Sequence, residues 1–336
     1  MSTPDHAVQS IPAYPAEQFQ VEIGANMGDS LSVLDELMLD DIYQLTPGTK
    51  PRRLALASGA DGNVYVAQGT ELGTVGAQLH LDCALTLMPH SGDNIEALVM
   101  VEVDQDGLIA AIYLLPLAPM QAQHSYSLVR AEQDSARRKL AQMACVSFTR
   151  GTRITMATGA QKPIEDLKPG DRVLTRDEGV QELRWIGQTT SRAVGRMAPV
   201  LIRAGVLNNA ADLVVSPDHR LMVYQRHDEL GAGSPELLVR ARDLVNGSDV
   251  VVQDGGFVDY FQLLFDRHHI VYAEGIAAES LFLDSMTQPA LPDDILARIS
   301  PTLETGQRRD AHGIEVQKSL LDRPDAVNLL KRASLR

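Results

Sequence analysis

The sequence predicts a mainly β protein with two domains. Apolar runs of strand length recur over residues 54–115 and again from residue 152 to residue 283, with Gly, Asp and Pro between them. One stretch rich in good helix formers, residues 131–143, separates the two sets of runs. A chain of 336 residues is long enough to form two hydrophobic cores.

The N-terminal part of the chain gives two predictions. Residues 1–48 are polar and irregular, and we expect a leader with one short helix over residues 31–38. Residues 49–130 hold five short apolar runs with turn residues between them, a spacing typical of a β-sandwich-like domain. In the run 78–87 apolar residues alternate, which puts Cys83 on the buried face.

Helical segments are predicted at two places. Residues 131–144 should form a short helical linker between the domains. Residues 286–336 change character again and predict a helical tail, with helices over 293–299 and 311–332 and a break near Pro324.

Charge and cysteine content exclude several classes of function. The 44 acidic residues outnumber the 30 basic ones, a formal net charge of −14, which argues against nucleic acid or an anionic membrane as a partner. Two cysteines form neither a disulfide framework nor a zinc cluster, so we expect no metal and no cofactor.

The sequence also bears on the location of the protein. It shows no secretory signal and no apolar run of the roughly 20 residues that a membrane helix needs. We therefore expect a cytoplasmic protein without a membrane span, while secretion by a route that uses no N-terminal signal stays open.

The chemically informative stretch begins at Cys145 and reads CVSFTRGTRITMATG, followed from Lys162 by KPIEDLKPGDRVLTRD. It predicts a strand over 152–156, a turn at 158–159 and a turn at 168–171 that leads into a strand over 172–175.

This pattern resembles the hedgehog/intein (Hint) family, and in particular a bacterial Hint-domain protein. Members open with a Cys or Ser nucleophile, a hydrophobic residue, a short gap and Gly-Thr, followed by a Pro-Ile-Glu-x-Leu-x-x-Gly-Asp-x-Val segment. The residues that match this segment are Ile164, Glu165, Leu167, Gly170, Asp171 and Val173. The resemblance covers residues 145–285 and implies a mostly β domain that attacks its own backbone.

Two residues are candidates for the nucleophile. In the family pattern the nucleophile directly precedes the hydrophobic residue before Gly-Thr, and that position is Ser147, before Phe148. Cys145 lies two residues earlier and shares its face if the segment is extended. The thiol is the better intrinsic nucleophile and the hydroxyl the better match in register. We favour Ser147 and keep Cys145 open.

A second motif supplies candidates for activating the scissile bond. The run Ser216-Pro-Asp-His219 resembles the family's Thr-x-x-His element, in which the His contacts the scissile amide nitrogen and the hydroxyl orients it. The resemblance implies that His219 protonates the departing amine, a role for which the neutral-range pKa of histidine is suited.

A third motif is FDRHHIVYAEG, starting at Phe265, which resembles the late strands of Hint domains. His268 is the better match for the family's active-site His, with His269 next to it. If the segment is extended, Asp266 shares the face of His268 and orients its imidazole.

Splicing inteins end in His-Asn followed by Cys, Ser or Thr, and this chain has no His-Asn pair. The resemblance therefore implies an N-to-O acyl shift at Ser147, or N-to-S at Cys145, that releases the N-terminal domain without complete splicing. The substrate would be the chain's own N-terminal domain, and the acceptor water or an unknown nucleophile.

Two alternatives remain. The domain could be a catalytically silent Hint fold that serves as a binding or assembly scaffold. It could also be a Cys/His hydrolase of external substrates, although the sequence has no Gly-x-Ser-x-Gly elbow.

Overall fold

The structure is a computed structural model, and it divides into two compact units. The first unit is Met1–Ala144 with Asp284–Ala290, and the second is Cys145–Leu283 with Leu291–Arg336. The residues that the structure describes are 9–59, 63–225, 227–228, 230–283, 287–292, 295–297, 314–316, 318–321 and 326–335. No helix within these residues is long and apolar enough to cross a membrane.

The first unit contains one antiparallel sheet of nine strands. Its strands, in chain order, are β1 Gln9–Pro15, β2 Phe19–Ile23, β3 Ile42–Leu45, β4 Arg52–Ser58, β5 Val64–Val66, β6 Gln78–Pro89, β7 Ile95–Val103, β8 Ile109–Pro116 and β9 Ser125–Glu132. The strand order across the sheet is β2-β3-β9-β6-β5-β4-β1-β8-β7, and β6 also pairs with β7.

The additional pairing between β6 and β7 closes part of this sheet into a barrel. The closed ring is β6-β5-β4-β1-β8-β7, and β9, β3 and β2 extend from the second half of β6. The long strand β6 takes part in both arrangements. It closes the ring by pairing with β5 at its start and with β7 along most of its length, and its end pairs with β9. The sequence predicted a β-sandwich-like domain, whereas the structure shows one sheet that closes partly into a barrel. Alternation of apolar residues identifies the buried face of a strand, but it does not show whether a sheet closes on itself.

The prediction of an irregular leader over residues 1–48 is wrong for the part that the structure describes. That region contributes β1, β2 and β3 to the sheet, and the predicted helix over 31–38 is reduced to a 3-10 turn, Leu34–Glu36. β1 contains Pro12 and ends at Pro15, although proline lacks a backbone donor and is disfavoured inside sheets. In β1 the buried Ile11 and Ala13 nevertheless face the core.

Cys83 lies in the core of the first unit, as the alternation in its strand predicted. Its side chain is fully buried beside Leu85 and Leu87 of the same strand, and it is not disulfide-bonded. Burial and the neighbouring Asp82 raise the pKa of the thiol, which keeps it protonated.

The predicted linker contains helix α1, Ala136–Ala144. It begins later than predicted because β9 continues to Glu132. Leu140, Ala141 and Met143 are the larger part of its buried face.

The second unit contains three sheets. Their strands, in chain order, are β10 Phe148–Thr149, β11 Arg153–Thr155, β12 Gln161–Pro163, β13 Arg172–Leu174, β14 Val180–Glu182, β15 Trp185–Arg192, β16 Val200–Ile202, β17 Leu213–Val215, β18 Arg220–Tyr224, β19 Glu236–Arg240, β20 Val250–Val252, β21 Phe257–Leu264, β22 Ile270–Ala273, β23 Ile276–Glu279 and β24 Ile314–Glu315. The sheet orders are β15-β21-β10-β17-β16-β20, β12-β11-β22-β23-β18-β19-β24 and β13-β14.

The short strand β10 occupies a central position that determines where the next residues lie. Phe148 pairs with Val215 of β17 on one side and with Phe261 of β21 on the other. Segments more than sixty residues apart in sequence therefore meet around the residue just before β10.

The tail is partly helical and belongs to the second unit. Two helices, α2 Lys318–Leu321 and α3 Ala326–Leu335, follow β24, which pairs in parallel with β19. Leu321, Ala326 and Leu330 are buried in the core of this unit. Residues 295–297 are helical as well, whereas the predicted break at Pro324 lies outside the described residues.

Candidate functional site

The residue on which the site converges is Ser147, directly before β10. Its side chain is 2% exposed. Its N–H donates to the Ser216 hydroxyl oxygen at 3.0 Å, and its carbonyl accepts the Ser216 N–H at 2.9 Å. The hydroxyl of Ser216 therefore contacts the nitrogen of the peptide bond that links Val146 to Ser147.

Ser216 and His219 lie on a tight turn between β17 and β18. The His219 N–H donates to the Ser216 carbonyl at 3.0 Å, and the Pro217 and His219 carbonyls accept the N–H groups of Arg242 and Ala241 at 2.9 Å. These backbone bonds fix the turn against the residues that follow β19.

The side chain of Asp218 anchors the same turn. It lies within 2.6 to 3.4 Å of three guanidinium groups, those of Arg196, Arg240 and Arg242. Burial opposes ionisation of Asp218, but the charges of Arg196 and the other arginines outweigh this and lower its pKa. The carboxylate is therefore ionised and locks the loop that carries His219.

The imidazole of His219 is fully buried and contacts the backbone of Ser147. Its Nδ1 lies 3.0 Å from the Ser147 carbonyl oxygen, so Nδ1 carries the proton and donates. Phe148 packs against the ring at a centroid distance of 4.4 Å. Burial lowers the pKa of His219 to about 4, opposed by the Ser147 carbonyl and the charge of Glu279.

The contacts of Ser216 and His219 with the backbone of Ser147 therefore differ from the prediction. The sequence assigned the amide nitrogen to His219, but in the structure the Ser216 hydroxyl contacts that nitrogen, and His219 contacts the next carbonyl along the chain.

Gln262 is a contact of the nucleophile position that sequence reasoning missed. Its Nε2 donates to the Ser147 hydroxyl oxygen at 2.8 Å, and its side chain is 7% exposed. Gln262 is 115 residues from Ser147 in the chain and reaches it because β10 pairs with β21. A glutamine within the apolar run of residues 260–264 is the sequence signal that could have identified it.

Cys145, the other candidate nucleophile, is buried at 1% exposure and is not disulfide-bonded. The contacts made by Ser216, His219 and Gln262 all converge on Ser147, two residues further along the chain.

The structure places Asp266 in an ion pair with Arg184. Asp266 makes a bidentate ion pair with Arg184, with N–O distances of 2.8 to 3.0 Å, and its side chain is 44% exposed. β21 ends at Leu264 and β22 begins at Ile270, so residues 265–269 are not extended and the alternation assumed for Asp266 does not apply.

The carboxylate near the His268 imidazole is that of Glu279, whereas the sequence had suggested Asp266 for this position. Its Oε1 is 3.8 Å from Nε2 of His268, and its Oε2 accepts a hydrogen bond from the Arg220 guanidinium at 3.3 Å. The side chains of Glu279, Arg220 and His268 are 0%, 6% and 4% exposed. The neighbouring His269 instead donates its backbone N–H to the Ser280 hydroxyl at 2.9 Å.

The residues of the first motif support this site structurally. Gly151 has φ of +87°, a conformation that favours glycine, and its N–H donates to the Glu165 carboxylate at 2.9 Å. Asp171 accepts the Lys168 N–H at 2.9 Å and pairs with Lys162 at 2.8 Å, which forms the turn predicted before β13. These contacts fix the segment that follows Ser147.

Residues 146–285 match the family model described as the Hint domain. This match identifies residues 146–285 as a Hint domain, and the second unit, which contains most of them, is mainly β. No curated protein matches the chain.

Three solved structures that are similar to the chain are inteins. A variant of the Ssp DnaB mini-intein is 13% identical, with 41% of this chain and 97% of that structure covered and a TM-score of 0.30. The gp41-1 intein is 12% identical, with 40% and 97% covered and a TM-score of 0.25. The MchDnaB-1 intein is 13% identical, with 40% and 98% covered and a TM-score of 0.26.

Proposed function

We propose that this protein cleaves its own backbone at the peptide bond between Val146 and Ser147. The hydroxyl oxygen of Ser147 attacks the Val146 carbonyl carbon, and the bond from that carbon to the Ser147 nitrogen breaks. The hydroxyl proton ends on the nitrogen, which becomes an amine, and Val146 is then held as an ester on Ser147. The observation that carries the proposal is the contact of a buried hydroxyl, Ser216, with the scissile nitrogen.

Ser216 has the chemistry that the leaving nitrogen needs. In the ground state its oxygen accepts the Ser147 N–H at 3.0 Å, which fixes the plane of the scissile amide. As the nitrogen becomes pyramidal and gains a lone pair, the same hydroxyl can turn and donate a proton towards it. A hydroxyl can both donate and accept, so one side chain serves both stages.

His219 supports the reaction by holding the peptide unit that follows. Its Nδ1–H donates to the Ser147 carbonyl at 3.0 Å, and burial keeps the ring neutral at pH 7 with a pKa of about 4. Holding this carbonyl restricts the backbone at Ser147 and contributes to the alignment that an intramolecular attack requires.

Water or another small nucleophile completes the reaction by attacking the ester at the Val146 carbonyl carbon. Hydrolysis leaves a carboxylate at Val146 and restores the Ser147 hydroxyl. Because the chain has no His-Asn pair, the reaction ends at release of the N-terminal part without splicing.

A catalytically silent Hint fold that serves as a binding or assembly scaffold is the second candidate. It is favoured by the position of His219, which contacts the Ser147 carbonyl and not the scissile nitrogen, where a proton donor is needed.

The two candidates are separated by the intact mass of the full chain over time, for the wild type, Ser147→Ala and Cys145→Ala. The proposal predicts a break before Ser147 in the wild type and in Cys145→Ala, and none in Ser147→Ala. A wild-type chain that stays intact in neutral buffer supports the scaffold. Cleavage that is lost in Cys145→Ala alone assigns the thiol instead.

Substitutions at Ser216 test the role of its hydroxyl. Ser216→Ala should slow cleavage about a hundredfold, the usual cost of removing one donor that is aligned for the transition state. Ser216→Thr keeps the hydroxyl and should retain most of the rate. Equal loss in both variants would show that the site needs the size of serine and not its hydroxyl.

A further inference from the structure

The side chain of Gln262 touches the one atom that must become nucleophilic. Its Nε2 lies 2.8 Å from the Ser147 hydroxyl oxygen, and both side chains are buried, at 7% and 2% exposure. Burying a carboxamide among apolar side chains is unfavourable unless its polar atoms make hydrogen bonds. Phe261 and Leu263, on either side of Gln262, are buried apolar residues.

The neighbouring strand leaves space for this carboxamide. Gly187 of β15 pairs with Gln262, and a Cβ at position 187 would lie 2.6 Å from Oε1 of Gln262. Such a distance is too short for non-bonded atoms, so a side chain here would displace the amide. The same Cβ would lie still closer, 2.1 Å, to the indole ring of Trp185. Gly187 therefore leaves room both for the Trp185 ring and for the orientation in which the NH₂ group of Gln262 faces Ser147.

We propose that Gln262 is a catalytic residue that activates the Ser147 oxygen by donating a hydrogen bond to it. This inference rests on the acyl shift proposed above and assigns one of its groups. As the hydroxyl loses its proton, negative charge develops on the oxygen, and an aligned donor stabilises that charge. The amide neither gains nor loses a proton, so the overall proton balance of the acyl shift is unchanged.

A neutral donor has a consequence that distinguishes it from an acid or a base. A carboxamide does not titrate between pH 5 and 9, so its contribution to the rate is the same at every pH in that range. The ratio of the rates of the wild type and a variant without the amide should therefore be constant across the range.

The first experiment measures cleavage of the full chain in Gln262→Leu, with Gln188→Leu as the matched control. Gln188 is an exposed glutamine on β15, so the control removes an amide from the same sheet without touching Ser147. Gln262→Leu should slow cleavage about tenfold to a hundredfold at every pH, while Gln188→Leu retains the wild-type rate. Equal rates in both variants, or a ratio that changes with pH, would overturn the inference.

The second experiment measures the hydrogen bond by a readout other than the cleavage rate, in samples that intact mass shows to be uncleaved. Ser147→Cys introduces a thiol whose ionisation is followed by absorbance near 240 nm, with the parent chain subtracted to remove Cys83 and Cys145. Adding Gln262→Leu should raise the pKa of the introduced thiol by about one unit or more, because a donor stabilises the thiolate. An unchanged or lowered pKa would show that Gln262 does not donate here.

The two experiments keep the two proposals apart. A wild-type chain that does not cleave, with the thiol pKa raised in the double variant, contradicts the proposed function and leaves the donor contact established. Cleavage with no effect of Gln262→Leu contradicts the role of Gln262 and leaves the acyl shift standing. Urea unfolding of both leucine variants confirms that each is folded where its rate is measured.

Discussion

The two units of this protein differ in what their buried polar side chains contact. Among the described residues of the first unit up to Ala144, three such side chains are buried, those of Asp41, Ser58 and Glu102. In the second unit a much larger set is buried, and three members of that set, Ser216, His219 and Gln262, each contact a different polar atom of Ser147.

The buried carboxylates of the first unit serve its own loops. Asp41 accepts the N–H of Ala25 at 2.6 Å, and Glu102 accepts the Tyr113 hydroxyl at 2.6 Å and the Thr74 N–H at 3.0 Å. Each satisfies local backbone or side-chain donors, which is the usual reason for burying a carboxylate. The comparison teaches that convergence of several buried polar groups on one residue, Ser147, and not polar burial alone, marks the candidate site.

The largest effect on stability is expected at Glu279. Glu279→Gln removes a buried negative charge 3.3 Å from the Arg220 guanidinium, and the free energy of unfolding should fall by about 3 kcal/mol. Urea unfolding of the second unit measures this loss. A change below about 1 kcal/mol would show that this pair is not an important part of the second unit.

The next effect is a pH dependence specific to His219. Its folded pKa of about 4 lies below the unfolded value of 6.5, so the unfolded chain binds the extra proton between these values. The neutral ring therefore contributes stability above pH 6.5 that is lost as pH falls towards 4, on the order of 3 kcal/mol.

The matched variant for this prediction is His219→Asn, which keeps a donor for the Ser147 carbonyl but does not titrate. Urea unfolding at several pH values should show the wild type losing its stability relative to this variant as pH decreases from 7 to 4. Parallel curves for the two proteins would contradict the assignment of a depressed pKa.

A smaller effect is expected in the first unit. Tyr113→Phe leaves Oε2 of the buried Glu102 without its 2.6 Å donor, which should lower the free energy of unfolding by about 1–2 kcal/mol. Cleavage at Ser147 should be unchanged in chains that remain folded. A large loss of cleavage in Tyr113→Phe would break the distinction between the two units.

The smallest effect is expected at Asp266. Its ion pair with Arg184 is 44% and 39% exposed on the two sides, and exposed pairs contribute under about 1 kcal/mol. Asp266→Asn should therefore change neither stability nor cleavage appreciably, in contrast with Glu279→Gln. A tenfold loss of cleavage in Asp266→Asn would restore the role that the sequence suggested for it.

Local signals in the sequence predicted much of the fold. The turn at 168–171 and the buried Cys83 follow from turn chemistry and from period-two alternation, both of which act between near neighbours. The strand β1 was missed because its two prolines outweigh a short apolar alternation. Closure of the barrel depends on β6 pairing with both β5 and β7, which no local pattern encodes.

In the candidate site, too, local motifs could be predicted from the sequence and long-range contacts could not. Ser147, Ser216 and His219 could be predicted because each belongs to a short motif, and the structure places all three together. Gln262 and Glu279 could not, because their contacts depend on strand pairing between segments far apart in sequence. The role suggested for Asp266 assumed an extended backbone, whereas the chain lies between two strands there and Asp266 pairs with Arg184.

The measurement that tests the central claim most directly is trapping of the Ser147 ester. The purified full chain is incubated with hydroxylamine at neutral pH, beside Ser147→Ala, and the products are weighed by intact mass spectrometry. The account predicts an N-terminal fragment that ends in a hydroxamate at Val146 and a C-terminal fragment that begins with the amine of Ser147. A bond between Val146 and Ser147 that stays intact in hydroxylamine, or that breaks equally in Ser147→Ala, would contradict it.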